Sequence, residues 1–407
     1  MQSVAKSSEH RDVPLEALRG MAALSVMAWH FLLGFDPAWL NDPHNIWRTT
    51  PVFAFFHGSA AIGIFFVLSG YVLTRRFFET GQKRMLVIGA LKRWFRLFVP
   101  VFLSVMLSWF FFHFNLYAYQ DAAQYTQSGW LYSFCLGMNP PFEPSFWNAV
   151  EGGFAELFRH KDNSFNPLLW TLHIELLGSY LVFALAGFIV AFRNQPFAIG
   201  LMFLLVIFSI HFIEPFLVPF LPGVLLSFYA PKLKNMRMRT ALILLMLGIL
   251  FLGYRDPIGF YSPLGFLAPI NGEPLRAYTC AIGGALVMAT FIGCEPLRKK
   301  FQGSAARALG RLSFPLYLVH MILLCSVASA VFVWAQGKYD HAMALGIAAA
   351  AWIPASFILA AFFAMIDIRW IAFVNKIFRS IKIADGRSRI TVMQNSPDSG
   401  NAGRHRH

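Results

Sequence analysis

Six ionisable residues stand where a strongly apolar chain has no ordinary use for them: Arg19, His30, Arg93, Arg96, Glu175 and His320. Each lies inside or at the edge of a long apolar run, and an ionisable group at membrane depth is costly enough to be a functional candidate by default. Their types suit proton transfer served by an anionic ligand. Imidazole titrates near neutral pH and acts as a general base or as a nucleophile. A carboxylate can orient or recharge it, and guanidinium groups grip phosphates bidentately.

Spacing says which of them share a face. Arg19 and His30 are eleven residues apart on one expected helix. Eleven steps come to about 1100°, close to three full turns, with a rise of about 16 Å. The two side chains therefore form one polar stripe, one near a membrane boundary and one deep. Arg93 and Arg96, three apart in Lys92-Arg93-Trp94-Phe95-Arg96, point the same way. They fit either a phosphate-binding fork or an ordinary positive-inside anchor. Glu175 lies about 12 Å down its helix, by the rise of an α-helix, and needs a cation, a proton or water there. Its bland alternative is a structural ion pair. His320, alone, would be a satisfied histidine of a helix bundle. Because His30, Glu175 and His320 reach similar depths from three helices, one water-accessible cavity holding all three is the economical expectation. His57, His113 and His211 fall near expected helix ends, where water can solvate them.

The elements that must position these groups are membrane spans. Hydrophobic residues make up 57% of the 407-residue chain and charged residues only 13%, about half the share of a soluble domain. Mean hydropathy is +0.55. A span takes about 20 apolar residues, and the expected spans are 15–35, 54–74, 96–114, 167–192, 197–213, 216–230, 240–254, 275–294, 308–334 and 342–366. The fold class is thus all-α: a polytopic transmembrane bundle of about ten helices. With the N-terminus inside, 28 of the 34 Lys and Arg residues fall in internal segments and 6 in external ones. That bias places both termini in the cytoplasm. Residues 1–14 read as a cytoplasmic N-terminus, 15–366 as the membrane domain with a long external loop at 115–166, and 367–407 as a cytoplasmic amphipathic helix and polar tail. In the helix, Ile371, Val374, Ile377, Phe378 and Ile381 share one face. No cleavable signal peptide is expected.

The net charge of +14 does not indicate nucleic acid, because the basic residues sit in short clusters between apolar runs. The scattered cysteines Cys135, Cys280, Cys294 and Cys325 form no CxxC pair, so neither a disulfide framework nor a metal site is indicated.

Several segments resemble the motifs of the type-3 membrane acyltransferases, the OafA/ExoZ/NodX-like O-acyltransferases. Leu15-Glu-Ala-Leu-Arg19-Gly20-Met-Ala-Ala-Leu…His30 is similar to that family's first helix, "LDGLRGxAAL…H". Phe65-Phe66-Val67-Leu68-Ser69-Gly70-Tyr71 resembles "FFVLSGF", and Arg93-Trp-Phe-Arg96 resembles RxxR. Leu169-Trp170-Thr-Leu-His-Ile-Glu175 resembles "LWSLxxE", and Gly310-Arg311-Leu-Ser313…Tyr317-Leu-Val-His320 resembles "GRISYxLYLxH". One departure is that Leu176 and Ser179 stand where the family often has an acidic residue and an aromatic one.

The resemblance implies a multi-pass enzyme of the cell (inner) membrane, embedded in the lipid bilayer. It moves an acyl group, usually acetyl, from cytoplasmic acyl-CoA to a hydroxyl of an external carbohydrate or glycoside. Such O-acetylation modifies envelope polysaccharides. It implies Arg19, Arg93 and Arg96 for the donor's phosphates, with Arg75 and Arg76 as further candidates. His30 would be the general base or the acyl carrier. Glu175 and His320 would support it, His320 at the developing oxyanion. No metal is implied. The H-x4-D motif of other acyltransferases is not met, since five residues separate His30 from Asp36. The competing class is a proton-coupled secondary transporter, to which buried His, Glu and Arg residues would also be suited.

Overall fold

In lipid every backbone N–H and C=O must be bonded within its own segment, so apolar runs punctuated by Pro, Gly and basic clusters become helices. The computed structural model describes residues 12–135, 144–158, 165–270 and 272–379, and among them there is no strand. The first spans are α1 (Val13–Phe35), α2 (Gly58–Thr80) and α3 (Arg84–His113). Three short helices follow inside the expected long loop: α4 (Tyr119–Thr126), α5 (Gly129–Tyr132) and α6 (Phe146–Ala155). Then come α7 (Trp170–Ala191), α8 (Pro196–Ile213), α9 (Phe220–Leu233), α10 (Met238–Gly253) and α11 (Glu273–Gly293). Helix α12 (Ser304–Leu323) continues through a π-turn at Leu324–Ala328 into α13 (Ser329–Gln336), and α14 (His341–Arg379) closes the bundle.

Among the described residues, nine helical runs are long and apolar enough to cross a membrane. A tenth, α10, is apolar but only 16 residues long. These ten overlap the ten expected spans, although α3 begins at Arg84 rather than 96 and α14 runs on to Arg379 rather than ending at 366. Local chemistry marks their ends. Pro14 opens α1, where the missing N–H removes nothing from the helix ladder. Gly81 closes α2 in the left-handed conformation, φ 69°.

The expected amphipathic segment after 366 is not a separate element. Through Arg379 it is the uninterrupted continuation of α14, with Val374 and Phe378 buried. Ile381 and the tail lie outside the described residues, as do residues 1–11.

The centre of the bundle is α1, α2, α7 and α12, with α3 and α14 against them. Close approach there depends on small residues. Gly70 on α2 faces Gly223 on α9, and a Cβ on either would land on the other helix's backbone. At the rim, α8 buries only Ile210 and leaves Phe197, Leu204, Phe208, Phe212 and Ile213 exposed. That is a surface made for lipid.

The basic residues of several spans gather at one end. Arg19 near the start of α1, Arg75 and Arg76 near the end of α2, Arg93 and Arg96 early in α3, and Arg311 early in α12 lie toward one end, here termed the basic end.

Candidate active site

His30 lies in the last third of α1 and His320 in the last turn of α12, where the two helices pack side by side. His30 Nδ1 is 3.0 Å from His320 Nε2. His320 Nδ1 is 2.9 Å from the carbonyl of Leu316. A carbonyl only accepts, so His320 Nδ1 carries the hydrogen and, in the neutral ring, Nε2 is an acceptor. His30 Nδ1 must then be the donor. The remaining lone pair of the dyad is on His30 Nε2, which makes that atom the base or nucleophile of the pair. His320 has both ring nitrogens engaged and is fully buried, so it does not present a free N–H to an oxyanion. Its position suits orienting His30.

A face of the His30 ring is covered. Trp130, from α5, stacks on it at 5.6 Å between centroids and 8° between planes, while His320 meets the ring at its Nδ1 edge, the two imidazoles 19° from coplanar. Helix α5 is tied down by Ser128, whose Oγ donates to the Leu33 carbonyl at 2.7 Å and accepts from the Leu131 N–H at 3.2 Å. Nearby, the free thiols of Cys135 and Cys325 lie 3.5 Å apart, both buried.

Glu175 is not part of this dyad. Its carboxylate is ion-paired with Arg93 and accepts a hydrogen bond from Ser69 Oγ at 2.5 Å. Arg93 Nε also donates to Ser179 Oγ at 2.5 Å, and that hydroxyl donates in turn to the Glu175 carbonyl. A buried charge is tolerated when paired and hydrogen-bonded, and both conditions hold. The guanidinium of Arg93 is thus engaged with α7. Ser179, the position that departs from the motif, supplies one of the hydroxyls that holds it.

The expected single cavity holding His30, Glu175 and His320 is not found: Glu175 and His30 line two different cavities, and the buried His320 lines neither of them. The first, about 430 Å³, is lined by Glu16, Arg19, Ser69, Arg93, Arg96, Glu175 and Arg311 among others, and lies toward the basic end. The second, about 450 Å³, lies toward the opposite end and is lined by Trp29, His30, Trp130, Trp170, Glu273 and Arg276 among others. Each is of a size that suits a small-molecule site. The stripe on α1 thus runs between them, Arg19 facing the first and His30 the second. Arg19 also pairs with Glu16 at 3.2 Å.

Of the three histidines expected to be solvated, His113 is exposed and His211 meets the Tyr278 hydroxyl at 3.1 Å. His57 is instead fully buried, with Nδ1 donating to the Leu252 carbonyl at 2.9 Å beneath Trp29. Among the described residues no group of His, Cys, Asp and Glu is arranged to hold a metal. Trp130, Ser69 and Thr171 join the site beyond the expected residues; Ser69 and Thr171 stand within the family-like segments, and the aromatic richness of the 115–166 loop is the signal for Trp130.

Residues 13–373 match the family model described as an acyltransferase domain, Acyl_transf_3. The chain is also 24% identical over 373 residues to the O-acetyltransferase PaAT-1 of Phomopsis amygdali, covering 79% of this chain and 74% of that protein. No solved structure matches.

Proposed function

The chain belongs to the type-3 acyltransferase family, and from that premise we propose that it transfers acetyl from acetyl-CoA at the basic end to an acceptor hydroxyl at the opposite end. It is a multi-pass membrane acyltransferase. The acceptor in this reading is an envelope glycan or a glycoside, the membrane is the cell (inner) membrane, and the basic end with both termini faces the cytoplasm. The bias of Lys and Arg supports that orientation. The name of the Phomopsis amygdali relative supports acetyl as the group moved.

The observation that carries the reading is the division of labour between the two cavities. The first offers Arg19, Arg96 and Arg311, guanidinium groups suited to the donor's phosphates. The second offers the free lone pair of His30 within an aromatic wall. His30 Nε2 takes the proton of the acceptor hydroxyl as the oxygen attacks the thioester carbonyl. A C–O bond forms, the C–S bond breaks, and the leaving thiolate recovers the proton from His30. If His30 carries the acyl group itself, the same nitrogen is the nucleophile. His320 keeps the ring in the required tautomer, the part a positioning group plays beside a catalytic base. The Arg93–Glu175 pair shapes the first cavity's wall.

Family membership removes the ground for the transport reading, and one experiment tests both. Vesicles bearing the full chain are incubated with labelled acetyl-CoA and candidate glycans or glycosides. Covalent label on an acceptor, lost in His30→Ala, is the expected result; saturable uptake of unmodified solute would overturn it.

A further inference from the structure

The two cavities share three lining residues, Ile62 on α2, Thr171 on α7 and Tyr317 on α12. They are the point where the basic-end cavity and the His30 cavity meet. Arg96 and Glu175 line only the first, and His30 only the second. A thioester held by its phosphates at the basic end cannot reach His30 without passing this neck.

The neck is bonded shut. Tyr317 Oη and Thr171 Oγ1 are 2.5 Å apart, and each is also close to the Leu168 carbonyl, at 2.9 and 3.0 Å. Two hydroxyl protons serve three contacts, so one hydroxyl donates to the other while the second donates to the carbonyl. The Tyr317 ring is 7% exposed and packs edge-on against Phe65, with centroids 6.1 Å apart. It also lies one turn before His320 on the same helix, at 6.0 Å between rings. A side chain at this junction can move only by giving up hydroxyl contacts, not by breaking an ion pair.

We propose that Tyr317, latched by Thr171 and the Leu168 carbonyl, is a gate between the donor and acceptor cavities. It swings aside to let the thioester reach His30 and otherwise keeps water of the acceptor cavity from the donor. This rests on the reading under Proposed function. Tyr317 is a positioning residue in this scheme and not a base.

The uncoupled reaction measures the gate. When water from the acceptor cavity attacks the thioester carbonyl, a C–O bond forms and the C–S bond breaks. Acetate leaves with the water's oxygen, and the thiolate takes up a proton to release free CoA thiol. Tyr317→Phe keeps the ring's volume, and Thr171 retains the Leu168 carbonyl as a partner, so no buried donor is stranded. Thr171→Val leaves Tyr317 that same carbonyl. The expected result, with full-length protein in lipid nanodiscs, acetyl-CoA as the probe and no acceptor, is a several-fold rise in CoA thiol release for Tyr317→Phe. Thr171→Val should give a smaller rise, because one latch remains. Both variants should still bind acetyl-CoA. A merely structural role would lower binding and release together. Unchanged or reduced release in both variants, with acetyl-CoA still bound, would overturn the gate alone. Failure of the unaltered protein to bind acetyl-CoA would overturn the reading beneath it as well.

Discussion

His30 and His320, 290 positions apart in sequence, meet at 3.0 Å, and the Leu316 carbonyl sets the direction of every proton between them. The arrangement predicts unequal losses. His30→Ala removes the base itself and should lower kcat by about 10²–10⁴-fold. His320→Ala removes only its orienting partner and should cost less, with KM for acetyl-CoA hardly moved. His320→Gln offers an amide oxygen in place of Nε2 and should recover part of the loss. Steady-state kinetics with labelled acetyl-CoA distinguishes these, and equal loss in Ala and Gln at position 320 would count against the orienting role.

The Arg93–Glu175 pair makes a prediction about stability first. Glu175→Ala strands a buried guanidinium, and breaking a buried pair from one side costs about 3–5 kcal/mol. The variant should therefore melt at lower temperature and accumulate less in the membrane. Removing both charges with Arg93→Met and Glu175→Leu should restore much of the stability. Thermal unfolding of the purified variants checks this; a double variant no more stable than Glu175→Ala would contradict the pairing.

Arg96 lines the basic-end cavity beside Arg19 and Arg311. Charge-assisted hydrogen bonds contribute about 1.5–3 kcal/mol, so Arg96→Ala should raise KM for acetyl-CoA by about 10–100-fold with little change in kcat. The defect should shrink for a donor that lacks the adenosine 3′-phosphate if that phosphate is the group bound.

Such pairs also show where reading from sequence ran out. Spans were legible because apolar length and basic punctuation are local properties, and each long apolar helix overlaps a run that composition marks. The stripe of Arg19 and His30 was legible because a helix has a fixed period. The ion pair of Arg93 was not legible for the opposite reason. The spacing of Arg93 and Arg96 on α3 is local, but the partner that claims Arg93 comes from α7, 82 residues later. The same holds for Glu175, expected to share a cavity with His30 and found paired with Arg93. Nothing in the period of α7 announces that a hydroxyl at Ser69 and a guanidinium on α3 converge on it. Likewise the single expected cavity became two because Thr171 and Tyr317, unremarkable apart, close on one another.

Trp130 gives the last test. It belongs to a loop helix, not to the bundle, yet its ring stacks on His30 while His320 bonds to the edge of that ring. The imidazole is held at a face and at an edge, so its plane is fixed while Nε2 stays directed by the Nδ1 bond. An aromatic stack contributes about 0.5–1.5 kcal/mol beyond buried area, which corresponds to about a 2–10-fold effect on rate. Trp130→Ala should lower kcat within that range, and Trp130→Phe should recover most of it by restoring a ring. Ser128→Ala, which loosens the bond from α5 to the Leu33 carbonyl, should show a weaker form of the same defect. The comparison separates stacking from acceptor binding. A ring that only lined the acceptor site would raise the acceptor's KM and leave kcat intact, whereas a ring that holds His30 lowers kcat even at saturating acceptor.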